Sequence, residues 1–166
     1  PEYARRNRAI QFNYEPGSTF KAFTVAGALE AGVIRPDTLL DVPFELKVAD
    51  RTIGEAHEDG NGPLTVADIL ARSSNVGSAM IGLRLDATRF DHWVRRFGFS
   101  KPTGVELPGE ERGIVMDVDD YSGSTLGNMS IGQGLSVTPL QMAAGFTAIA
   151  NNGVRRQPYI VEGDRK

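Results

Sequence analysis

The sequence predicts a mixed α/β chain of the α+β type, dominated by helices and carrying only short extended pieces. Three observations lead there. Helix-capping signals recur along the 166 residues, strand-like runs are few and brief, and residues 98–135 form a Gly-, Pro- and Ser-rich connection. So much irregular chain is too long for a self-contained helical domain.

The helices can be placed in order. Pro16-Gly17 leads into a helix over Ser18–Ala31, with Gly32 as its C-cap and Pro36 soon after. Thr65 caps a helix from Val66 to Arg72, with Asp68 at its third position. After Ser73-Ser74-Asn75 the apolar pattern resumes over Val76–Leu85, and Thr88 is placed to cap Arg89–Phe97. Thr138-Pro139-Leu140-Gln141 is a capping box with proline at the first helical position, opening a helix to Ala150. Asp41–Asp50, Arg51–Ile53 and Gln157–Val161 read as extended pieces. The chain opens on a proline and stops at Gly163-Asp164-Arg165-Lys166 without a closing element, so residues 1–166 are expected to be one partial domain, truncated at both ends.

Composition narrows the chemistry. With 40% hydrophobic and 23% charged residues the chain is ordinarily globular. A net charge of -3 argues against nucleic acid as a partner, because phosphate binding needs a basic face. No run approaches the roughly 18 apolar residues of a membrane span. Cysteine is absent, which excludes disulfides, thiolate metal sites and cysteine nucleophiles. The two histidines read as non-catalytic: His57, in an acidic turn-rich loop beginning at Glu55, as a solvated residue, and His92, beside Trp93, as a packed or surface one. No metal or cofactor is expected.

The anomaly is Lys21, the one charge in Ser18–Leu29, a stretch apolar or small nearly all round. A lysine there needs a cleft or a partner, and burial lowers its pKa toward the range of a useful base. Ser18 lies one turn earlier on the same helix face, where the amine is expected within reach of its hydroxyl. A serine hydroxyl needs such a base to become a nucleophile, and the helix start adds a field that favours a developing oxyanion. The pair alone is a frequent coincidence, equally suited to a capping serine and a snorkelling lysine. Its surroundings are more specific. Glu15-Pro16-Gly17-Ser18-Thr19-Phe20-Lys21 resembles the active-site serine segment of class B penicillin-binding proteins, and Asn7–Asn13 resembles their lead-in. Ser73-Ser74-Asn75 resembles the family's Ser-x-Asn motif, and Ser130–Ala143 a glycine-rich segment that packs near the site. The family's third motif, Lys-Thr-Gly or Lys-Ser-Gly, is absent; Lys101-Pro102-Thr103-Gly104 is interrupted by proline and precedes the glycine segment.

The resemblance implies a penicillin-binding transpeptidase or serine β-lactamase-like fold, a five-stranded antiparallel sheet on a helical lobe. This chain would supply mostly the helical lobe, with much of the sheet missing. It implies a peptidoglycan D,D-transpeptidase acting on stem peptides ending in D-Ala-D-Ala and acylated by β-lactams. Ser18 would be the nucleophile, Lys21 its base, Ser73 a proton relay and Asn75 a substrate and lysine ligand. The parent would be anchored by an N-terminal segment on the extracytoplasmic face of the bacterial membrane, beside a membrane glycosyltransferase. Two rivals stay open: a β-lactamase or carboxypeptidase relative, and a non-catalytic sensor or scaffold on the same fold.

Overall fold

The computed structural model of the chain describes residues 6–56 and 61–162. A one-turn helix α1, Arg8–Gln11, is capped by Asn7, whose side chain accepts from Ala9 N. The expected helix at Ser18 begins as a tight 3₁₀ turn, Gly17–Phe20, and continues as α2, Lys21–Glu30. Gly32, at φ 70°, closes it as predicted. α3, Val66–Ala71, starts on a capping box between Thr65 and Asp68, and α7, Pro139–Ala150, on one between Thr138 and Gln141. Both follow the sequence signals.

α4, Asn75–Leu85, and α5, Ala87–Arg96, share one hinge residue. Asp86 sits at φ 64°, ends α4 and caps α5, its carboxylate accepting from Arg89 N at 2.9 Å. Thr88 was the expected cap. The carboxylate at position 86 wins because the chain reverses there, leaving Thr88 already inside the helix. Residues 98–135 hold more order than their composition suggested: a 3₁₀ turn over Val118–Asp120 and a helix α6, Thr125–Ser130. Thr-Leu-Gly-Asn-Met-Ser has weak helix propensity, so α6 depends on tertiary packing. It lies on α4 so closely that a Cβ on Gly82 would meet Ser130 Oγ at 1.8 Å.

The strands are β1, Leu39–Val42; β2, Glu45–Val48; β3, Arg51–Gly54; and β4, Gly62–Thr65. They form two separate antiparallel pairs, β1 with β4 and β2 with β3. The expected single run Asp41–Asp50 is thus split at Pro43, where the ladder loses a donor. β4 carried no strand signal. Gln157–Val161 is extended in no ladder; its contacts are Gln157 Nε2 to Gly104 O and Ile160 N to Glu106 Oε2. A five-stranded sheet is not present among the described residues.

The core gathers where α2 crosses α4 and α5. Phe23 on α2 packs against Phe20, Phe97, Phe99 and Phe146 with ring centroids 4.7–5.5 Å apart. Phe20 and Phe99 are fully buried, and each such side chain stabilises the fold by about 2 kcal/mol. This anchors the N-terminal turn of α2, and with it Ser18 and Lys21. The Asp86 hinge makes a direct expectation: Asp86→Ala costs about 1 kcal/mol of stability, whereas Thr88→Ala stays within about 0.5 kcal/mol. Urea unfolding of the two variants beside the parent chain checks the contrast.

Candidate active site

Lys21 is the first residue of α2 and is 1% exposed. Its Nζ donates to Ser73 O at 2.5 Å, Ser73 Oγ at 3.1 Å and Asn75 Oδ1 at 2.7 Å. An ammonium has three N–H donors, and here the three meet three oxygens of one turn. Burial holds the amine down at about 8, against an opposing pull from the Glu55 carboxylate. Ser18 lies exposed on the 3₁₀ turn just ahead. The structure brings Lys21, Ser73 and Asn75 together and places Ser18 on the turn that leads into Lys21. It departs from the sequence expectation in one contact: Ser18 Oγ makes no hydrogen bond among the described residues. The three oxygens around Lys21 take all its donors.

Ser73 has a left-handed backbone, φ 56°, unusual for a residue with a Cβ. That conformation turns both its carbonyl and its hydroxyl to the lysine. Ser74 points the other way, is 1% exposed and caps α4 by accepting from Gly77 N at 2.8 Å.

The glycine-rich segment closes the site from behind. Gly17 N donates to Gly132 O at 3.0 Å, and Gly134 N donates to Glu15 Oε1 at 2.8 Å. Tyr14 and Val137 exchange backbone hydrogen bonds at 3.0 and 2.9 Å. Gly132 approaches so closely that a Cβ would lie 2.1 Å from Gly17 O, and its φ is 81°. Only glycine fits there.

Other sequence candidates lie elsewhere. His92 is exposed and packs edge-on to Trp93 at 5.6 Å; His57 lies outside the described residues. Thr103 and Gly104 of the interrupted Lys-Pro-Thr-Gly run donate to the Glu110 carboxylate, which closes a loop. Among the described residues, no three of His, Cys, Asp or Glu converge as a metal set, and no helix is long and apolar enough to cross a membrane. A cavity of about 500 Å³ lies at the other end of α2, beside Glu30, Trp93 and Arg96, and touches none of the four candidates. Sequence reasoning missed Glu55. Read as the start of a solvated loop, its carboxylate instead accepts from Ser74 Oγ, Asn75 N and Val76 N. No local pattern marks it, since its partners lie about twenty residues away.

A serine and a lysine one turn apart at a helix start, faced by Ser-x-Asn on a helical lobe, define the penicillin-binding class of fold. The family model described as the penicillin binding protein transpeptidase domain matches residues 1–166, and the chain belongs to that family. It is 42% identical over 156 residues to penicillin-binding protein PbpB of Mycobacterium tuberculosis, covering 94% of this chain and 23% of that protein. To peptidoglycan D,D-transpeptidase FtsI of Escherichia coli K12 it is 33% identical over 166 residues, covering 99% of this chain and 27% of that one. The crystal structure of penicillin binding protein 3 from Mycobacterium tuberculosis, complexed with aztreonam, matches with a TM-score of 0.89 at 42% identity. The match covers 93% of this chain and 35% of that one. The chain therefore spans about a quarter of the length of these curated relatives.

Gly132→Ala tests the closeness of the rear segment. It forces a left-handed residue against the Gly17 carbonyl and is expected to cost about 2–3 kcal/mol. Unfolding midpoints report the loss, and Gly134→Ala, which meets nothing within 4 Å despite a φ of 77°, is expected to cost about half as much.

Proposed function

We propose that this chain is part of a peptidoglycan D,D-transpeptidase domain, the part that carries the nucleophile and the second motif. The observation that carries the reading is the Lys21 amine, bonded to both functional positions of a motif 52 and 54 residues further on. Membership of the transpeptidase family supports it, as do relatives named for that activity and a related structure holding a β-lactam.

In this reading the neutral Lys21 amine takes the Ser18 hydroxyl proton as Oγ attacks the penultimate D-alanine carbonyl. Ser18 is exposed, so its hydroxyl rotates freely toward the amine. The Ser18 backbone N–H, at the start of the helix, supports the oxyanion. Collapse breaks the peptide C–N bond; the proton passes from Lys21 Nζ through Ser73 Oγ, 3.1 Å away, to the departing D-alanine nitrogen. Asn75 keeps Oδ1 on Lys21 and one Nδ2 hydrogen on Gly54 O, which leaves its second Nδ2 hydrogen for the donor peptide. The amine of a second stem peptide then attacks the ester, its proton returns through the same groups, and Ser18 Oγ–H is regenerated as the cross-link forms. A β-lactam replaces the donor peptide and leaves Ser18 acylated. Residues 1–166 hold no Lys-Thr-Gly or Lys-Ser-Gly motif, so by themselves they are expected to lack transpeptidase activity. The parent protein is anchored on the extracytoplasmic face of the bacterial membrane, alongside a membrane glycosyltransferase.

Two outcomes are expected in the full-length protein. Intact-mass analysis after penicillin exposure gives one stable adduct that Ser18→Ala abolishes; steady β-lactam turnover instead points to a β-lactamase, and no adduct on folded protein to a binding module. Because acylation needs the neutral amine, its rate climbs about tenfold per pH unit below the Lys21 pKa and levels above it. The bend is expected at a pH of about 8, read from timed acylation by a fluorescent penicillin. A flat profile across that range removes Lys21 as the base.

A further inference from the structure

Glu55 directly follows β3 and lies beside the second motif without belonging to it. Its carboxylate accepts from Ser74 Oγ at 2.5 Å, Asn75 N at 3.0 Å and Val76 N at 3.1 Å. The adjoining Gly54 carbonyl accepts from Asn75 Nδ2 at 3.1 Å. The end of one strand thus grips Asn75 by both its backbone and its side chain. A helix start leaves its first N–H groups without intrahelical partners. In α4, Ser74 Oγ takes the one on Gly77, and Glu55 takes those on Asn75 and Val76. An ionised acceptor at the positive end of a helix forms hydrogen bonds roughly twice as strong as neutral ones.

Just before these anchored amides stands Ser73 with its left-handed backbone. Such a conformation persists only where its neighbours over-determine it. On one side α3 ends in Arg72; on the other, Glu55 fixes the next three residues. Ser74 and Asn75 have no freedom to let Ser73 relax.

We infer that Glu55 is a positioning residue for acylation: it locks the Ser73–Asn75 turn so that Ser73 O, Ser73 Oγ and Asn75 Oδ1 converge on the Lys21 amine. The inference rests on the transpeptidase reading above. Glu55 is also the charge acting on that amine, favouring its protonated form against burial. The other charges flanking the two motifs, Glu15 and Arg72, are solvent-exposed.

The test uses the full-length protein and timed acylation by a fluorescent penicillin across the pH range that brackets the Lys21 pKa. Glu55→Ala and Glu55→Gln are expected to acylate about 10- to 100-fold more slowly, the scale of a reacting group displaced by about an ångström. In Glu55→Gln the acid limb shifts to lower pH, because the charge that favours the ammonium is gone. Glu55→Asp keeps the charge on a shorter stem and leaves the limb in place. A folding defect lowers the active fraction without moving the limb, so the shift separates the two. The inference is overturned if Glu55→Gln acylates within about twofold of the parent, or if its limb does not move. If the parent itself forms no adduct, the transpeptidase reading fails and this inference falls with it; a parent that is acylated beside an unaffected Glu55→Gln overturns this inference alone.

Discussion

The ammonium of Lys21 carries three N–H donors into a region nearly closed to water, and each finds an oxygen on Ser73 or Asn75. A buried charge without partners costs several kcal/mol, comparable to the whole stability of a small domain. The second motif therefore has to sit where it does for α2 to fold as it does. From that constraint follow the left-handed Ser73, the pairing of α2 with α4, and the need for something to hold the intervening turn. Ser74 faces inward and Glu55 meets it there, so one turn is fixed from two sides, by the lysine and by the carboxylate.

The rear of the site is built from backbone. Residues 14–17 and 132–137 exchange main-chain hydrogen bonds, and the Gly132 contact with Gly17 leaves no room for a side chain. Side chains set the amine; main chain sets the serine turn. The serine turn and the segment behind it lie more than a hundred residues apart in the chain. The site therefore forms only once the whole helical lobe has closed. The Phe20–Phe23–Phe99 cluster beneath the turn ties that closure to the core.

Local chemistry was legible in the sequence where it announces itself locally. Thr65 with Asp68 and Thr138 with Gln141 are reciprocal caps three residues apart, and both helices begin where those pairs place them. Lys21 was visible as a lone charge in an apolar helix. α6 was not visible, because Thr125–Ser130 has the composition of a loop and becomes a helix through α4. The resemblance put Asn75 on Lys21, but the contact with Ser73 in place of Ser18 was hidden: spacing along a helix puts two residues on one face, but it does not say what approaches from across the cleft. Glu55 failed for the same reason. Its partners lie beyond a turn, and no periodicity links a strand end to a helix start.

The three oxygens around Lys21 differ in what they allow. Ser73 O and Asn75 Oδ1 are acceptors only, suited to an ammonium and unable to donate to a neutral amine. A deprotonated lysine keeps two donors and gains a lone pair, so one of three contacts must change its sense. Ser73 Oγ is the partner that can do so, by turning its own hydrogen toward the nitrogen, and its contact is the longest of the three at 3.1 Å. The arrangement thus satisfies both charge states with the same atoms, at an amine whose pKa lies near 8. A carbonyl oxygen in place of the Ser73 hydroxyl would hold the ammonium equally well. It would also oppose the loss of its proton, and that loss is what a base beside Ser18 requires.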